Sequence, residues 1–215
     1  MRQAFSFLFL LIISICTISF MKVEGDILPL IGKTIYLDAG HGGVDSGAKY
    51  KNILEKDINL EIVKILAVKL ESLGATVYLT RYGDYDLSNI GVDHRKRSDL
   101  YNRAKIINES NADIYISIHL NSTISSTWHG AQVFYDDVCA ENIILADTIS
   151  KALKTRRKVT EINNMYFNRR VRKPGILVEI GFLSNSSDRQ KLLTKKYQEQ
   201  VADMIAEGII EYFTS

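Results

Sequence analysis

Two short β-branched runs in this chain end in histidine, and small or polar residues follow each of them. Thr34-Ile-Tyr-Leu-Asp-Ala-Gly leads into His41-Gly-Gly, and Ile114-Tyr-Ile-Ser-Ile leads into His119-Leu-Asn. A strand that ends in histidine sets an imidazole on the rim of a sheet, within reach of a ligand. Glu55 lies between the two in sequence. Two imidazole nitrogens and one carboxylate oxygen are the donors a catalytic zinc ion takes while one position stays open for water. Taken alone, Glu55 is equally an ordinary first-turn glutamate favoured by the helix dipole; the two histidines lend it weight.

Glu179 is the second anchor. Its neighbours Leu177, Val178, Ile180 and Phe182 describe a buried strand. A carboxylate there is costly unless it is paired, metal-bound or partly protonated. Desolvation raises its pKa towards the range useful for proton transfer at neutral pH. The competing reading is a buried ion pair with Arg81 or Arg103. Asp38, three residues before His41, suits either a hydrogen bond that orients that imidazole or a contact with the glycine loop. His94 reads as a solvated loop residue and His129 as a groove residue rather than a ligand. Trp128 offers either a stacking face for a sugar or a cover for its own loop.

The elements that must carry these side chains alternate. Residues 34–38, 75–80, 114–119, 130–135 and 176–182 read as strands. Helical spacing runs through Ile58, Ile62, Ile65, Leu66, Leu70 and Leu73, with Gly74 at the expected C-terminal cap. Further helices are expected over residues 99–110, 141–153, 188–193 and 197–213, and Cys139 is expected to lie in a helix as a packing residue. Residues 154–173 form an irregular basic stretch. This alternation predicts an α/β domain of three layers, a mostly parallel central sheet flanked by helices. In such sheets ligands gather outside the carboxyl ends of the strands, where His41 and His119 fall.

With 215 residues, 46% of them hydrophobic, the chain builds one core. The formal net charge of +2 gives no argument for nucleic acid. Residues 154–158 and 169–173 are local basic clusters, solvated faces by default and contacts for an anionic polymer otherwise. Residues 3–21 carry no charge, and residues 5–20 are mostly Phe, Leu and Ile. They read as a secretory signal peptide or a membrane anchor within residues 1–25, with residues 26–32 a linker and residues 33–215 the catalytic domain. The two cysteines, Cys16 and Cys139, fall on either side of that boundary and are not expected to pair. The expected location is therefore exported, secreted or N-terminally anchored, with the membrane touched through that segment alone.

Four stretches together carry a family resemblance. Asp38-Ala-Gly-His-Gly-Gly with Asp45-Ser-Gly-Ala, Leu54-Glu-Lys-Asp-Ile-Asn-Leu, Ser117-Ile-His-Leu-Asn and Val178-Glu-Ile-Gly-Phe-Leu-Ser-Asn occur in the order and at the spacing of the zinc-dependent N-acetylmuramoyl-L-alanine amidases. The resemblance implies that His41, Glu55 and His119 hold one Zn²⁺ per chain and that Glu179 is the catalytic glutamate. It implies peptidoglycan glycan strands with stem peptides as the substrate. Ala39 replaces a common proline, and Leu120 is a larger residue expected to narrow the groove. The bare domain behind an apolar N-terminus is most similar to the sporulation branch, whose members prepare muramic acid for a deacetylase that forms the muramic δ-lactam of spore cortex. A regulatory protein partner fits that layout. A zinc peptidase cutting within the stem peptide is the alternative, since the same metal and acid serve any amide. A binding protein without turnover is a further one.

Overall fold

The computed structural model describes residues 28–215; the apolar N-terminal segment lies outside them. The chain forms β1 (Thr34–Ala39), a small hairpin of β2 (Lys49–Tyr50) and β3 (Ile53–Leu54), α1 (Glu55–Ser72) and β4 (Thr76–Leu79). It continues through α2 (Arg95–Asn108), β5 (Ile114–Asn121), β6 (Gln132–Tyr135), α3 (Asn142–Ala152) and β7 (Thr160–Glu161). A 3₁₀ turn (Asn168–Arg170), β8 (Gly175–Phe182), α4 (Ser186–Leu192) and α5 (Lys195–Thr214) complete it. Among the described residues, no helix is long and apolar enough to cross a membrane.

Six strands form one sheet in the order β4-β1-β5-β8-β6-β7. β4, β1, β5 and β8 run parallel, and β6 is antiparallel to β8. The expected mostly parallel α/β sheet is therefore present, with one reversed pairing. Side chains of a strand point alternately to the two faces. Ile35, Leu37 and Ala39 of β1, Ile114, Ile116, Ile118 and Leu120 of β5, and Ile176, Val178 and Ile180 of β8 all enter the main core beneath α1, α3 and α5. Each fully buried Leu or Ile there contributes roughly 1.5–3 kcal/mol relative to exposure. The residues between them, Tyr36, Asp38, Tyr115, Ser117, His119, Leu177 and Glu179, occupy the opposite face. A smaller core of Tyr36, Ala104, Ile107, Tyr115 and Phe167 joins α2 to that face. The rest of it is left for the site.

Local signals account for the boundaries. Gly74 takes φ +94 just past α1, and its N–H and that of Ala75 close on Glu71 and Leu70 carbonyls. Asn185 caps α4 by accepting from the Ser187 and Asp188 N–H groups, and Thr194 caps α5 by accepting from Tyr197 N–H. Leu30 is fully buried, and its N–H bonds the Leu73 carbonyl, which ties it to the end of α1. Cys139 lies in the bend before α3 rather than inside a helix. Asp136 and Asn142 bond each other there, and Asn142 also accepts from Gly175 N–H, which delays the helix to residue 142.

Candidate active site

His41, Glu55 and His119 converge at the carboxyl ends of β1 and β5. Each offers one donor atom, and the three atoms lie within 4.8 Å of one another. His41 Nε2 is 3.2 Å from Glu55 Oε1, and His119 Nδ1 is 3.0 Å from the same oxygen. Tetrahedral zinc with bonds of about 2.1 Å holds its ligands roughly 3.4 Å apart. The donor set and its spacing therefore fit a divalent ion with no large rearrangement.

Several backbone devices hold this geometry. His41 sits in the left-handed region at φ 63, where a non-glycine residue needs outside support. Two buried arginines give it. Arg103 donates to the carbonyls of Ala39 (2.8 Å) and His41 (2.5 Å), while Arg81 donates to those of Ala39 (2.9 Å), Gly40 (3.1 Å) and Lys56 (2.7 Å). Gly40 is required by close approach, since a Cβ there would lie 2.2 Å from the His119 ring. Glu55 opens α1, where it also accepts from Ala48 N–H (2.7 Å), Leu120 N–H (3.0 Å) and Asn59 Nδ2 (3.3 Å). Burial alone would raise the Glu55 pKa, but hydrogen bonds from His119 and His41 outweigh it and hold the carboxyl well below its usual range.

Glu179 lies directly across from His119 in the β5–β8 ladder, with its side chain on the same face. Among the described residues no arginine reaches it: Arg103 is engaged by Asp38 and Asp99, and Arg81 by carbonyls. Its Oε2 is shielded and has no hydrogen-bond partner. Burial, reinforced by the Glu55 charge and opposed by His119, pushes its pKa up to about 7. An unpaired carboxyl poised at neutrality beside an open three-donor site can take and return a proton. Both groups face one cleft of about 380 Å³ that is also lined by Lys96, Asn121 and Tyr166.

Asp38 does not touch His41. It accepts from Thr80 Oγ1, Ser117 Oγ and Arg103. The orienting contact comes instead from Asp45, whose Oδ2 is 2.9 Å from His41 Nδ1. Sequence reasoning missed that role, although an acid four residues past His41 in a glycine-rich loop was the available signal. Leu120 is buried in the main core while also lining the cleft, and its N–H serves Glu55. His94 is an exposed residue at the start of α2 and stands apart from the cleft; His129 and Trp128 also lie outside it.

The chain matches known proteins over nearly all of its described residues. Residues 35–211 match the family model described as N-acetylmuramoyl-L-alanine amidase, and the chain belongs to that family. It is 47% identical over 195 residues to the germination-specific N-acetylmuramoyl-L-alanine amidase of Bacillus subtilis (strain 168), covering 87% of this chain and 82% of that protein. Its fold is similar to the CwlD amidase from Clostridioides difficile in complex with the GerS lipoprotein, with TM-score 0.80, 38% identity and coverage of 84% and 98%. An N-acetylmuramoyl-L-alanine amidase from Clostridium difficile 630 gives TM-score 0.75 at 35% identity, covering 85% of this chain and 97% of that one.

Proposed function

We propose that this chain hydrolyses the amide between the lactyl group of N-acetylmuramic acid and L-alanine in peptidoglycan, using one Zn²⁺ held by His41, Glu55 and His119, with Glu179 as general base and acid. The observation that carries the reading is the unpartnered Glu179 Oε2, on the strand beside His119 and the three-donor set. A zinc ion bound there supplies Lewis acidity toward the scissile carbonyl and toward water. Glu179 takes a proton from the attacking water as the C–O bond forms. It delivers that proton to the α-amine of L-alanine as the C–N bond breaks. The products are a lactyl carboxylate on the glycan and a peptide with a free N-terminus. Asp45 holds the His41 ring so that Nε2 faces the metal position, and Arg81 and Arg103 keep the His41 backbone in place.

Likeness to a relative named as germination-specific supports spore cortex as the setting, where the product would feed a deacetylase in muramic δ-lactam formation. The structure of the CwlD amidase in complex with the GerS lipoprotein supports a protein partner for this chain as well. The same names support an exported location, with residues 1–25 as signal or anchor and residues 33–215 as the catalytic unit.

The deciding experiment is a digest of purified peptidoglycan by the zinc-loaded protein, read by mass spectrometry. Release of stem peptides beginning with free L-alanine, with cross-bridges intact, is expected. Cleavage between amino acids of the stem would replace the reading with a peptidase.

A further inference from the structure

The basic stretch at residues 154–158 has no part in the reaction described above, and the fold gives it a definite place. Lys154, Arg156 and Arg157 edge a cavity of about 370 Å³, together with His129; its floor is apolar, formed by residues such as Ile180 and Val201. No acidic residue lines it. Among the described residues, none of Lys154, Arg156, Arg157 or Lys158 makes an ion pair. A solvated basic face normally scatters its charges; here three lie around one concavity.

One of the cations is held in place. Arg157 stacks between the Trp128 ring, 5.0 Å away, and the Phe182 ring, 5.3 Å away, and donates through Nη1 to the Gly130 carbonyl at 3.4 Å. A guanidinium pinned on aromatic faces keeps its remaining N–H groups in one plane, the arrangement that meets a carboxylate with two parallel bonds. Lys154 sits at φ 52 just past α3, a position where glycine is the ordinary choice. The negative end of α3 gives Lys154 a weak local partner, but Arg156 and Arg157 lie beyond it.

The cavity also sits at the same end of the sheet as the cleft. Ile180 follows Glu179 in β8 and points to the opposite face, so the two concavities flank one strand end. We propose that the cavity edged by His129, Lys154, Arg156 and Arg157 is an exosite for peptide carboxylates on the peptidoglycan strand next to the unit being cleaved. This rests on the proposed amidase reading for the identity of the polymer. A peptide stem suits the cavity on both counts, since it brings carboxylates to the rim and aliphatic side chains to the floor.

The test is sedimentation of the full chain, without added metal, with intact sacculi. The double variant Lys154→Asn/Arg156→Gln alters two exposed side chains and places at 154 a residue that tolerates left-handed backbone. It is expected to bind about tenfold more weakly, while Lys154→Arg/Arg156→Lys binds as the parent does. Sacculi whose carboxyls have been converted to amides should lose the parent protein to the same degree, and removal of phosphate-bearing wall polymers should change nothing. Unaltered binding by the neutral double variant, or indifference to amidation, overturns the exosite; so does loss of binding when only the phosphate polymers are stripped. Cleavage of a soluble monomeric muropeptide separates the two readings. Parent and variant should match in kcat/KM on it, and failure of the parent to cleave it sinks the amidase assignment while the sedimentation still decides the exosite.

Discussion

Asp45 Oδ2 lies 2.9 Å from His41 Nδ1 and 3.4 Å from the Lys96 ammonium, so one carboxylate both orients the His41 imidazole and is itself steadied by a cation. Removing the acceptor frees the ring to rotate and to change tautomer. Asp45→Asn should lower zinc affinity by about 10–100-fold, the range found for acids behind a liganding histidine. Metal content after dialysis against graded chelator measures it. Affinity equal to the parent's would leave Asp45 as a loop residue only.

Glu179→Gln should keep the fold and bound metal while lowering kcat by about 10²–10⁴, the usual contribution of a general base. The pH dependence follows from the same group. The base must be ionised, so activity rises as pH rises through the Glu179 pKa, about 7 in the absence of a cation. A divalent ion nearby favours the carboxylate and moves that midpoint down. The acid limb of kcat/KM should therefore fall at or below about 7 and vanish in the glutamine variant. An unchanged acid limb in that variant would assign it to another group.

Gly40→Ala tests the close approach of β1 to β5. The added methyl would run into the His119 ring, which Glu55 holds through Nδ1, so the ring or the loop must move. Overpacking of this kind costs typically 1–3 kcal/mol. The thermal midpoint should fall and metal binding should weaken together. A variant with parental metal affinity would show that His119 has room to yield.

Arg103 and Asp38 form a buried pair at 2.8 Å, with Asp99 on the other side of the guanidinium. Removing one partner of such a pair costs about 3–5 kcal/mol because a charge is left unpaired. Arg103→Met should be destabilising to that extent in denaturant and should also loosen His41, whose carbonyl it holds. Burial alone would raise the Asp38 pKa, but Arg103, Ser117 and Thr80 reverse that and lower it. A depressed carboxylate pKa gives stability that is present above the unfolded value, near 4, and lost as pH falls through the folded value. Stability of the parent should thus decline below about pH 4 more steeply than that of Arg103→Met. Parallel acid limbs would remove the pair from the account.

Much of this was legible in the order of residue types. The apolar run at residues 176–182 marked Glu179 as a carboxylate inside a buried strand, and the β-branched run at 114–119 put His119 at a strand end. The strand-end position of His41 and the first-turn position of Glu55 followed from similar local patterns. The partners of the buried charges were not legible. Whether Arg103 meets Glu179 or Asp38 depends on the register of β1 against β5 and on the docking of α2, contacts 65 residues apart in the chain. The reversal of β6 against β8 was hidden for the same reason, since four-residue strands carry no direction. The cavity behind residues 154–158 was equally out of reach, being made by the packing of α3, α5 and β8.

The polypeptide enters β1 where Leu30 is stitched to the end of α1, and His41 stands just past the other end of that strand, about 20 Å away for six residues. The first described residues and the cleft thus occupy opposite poles of one strand, so neither crowds the other.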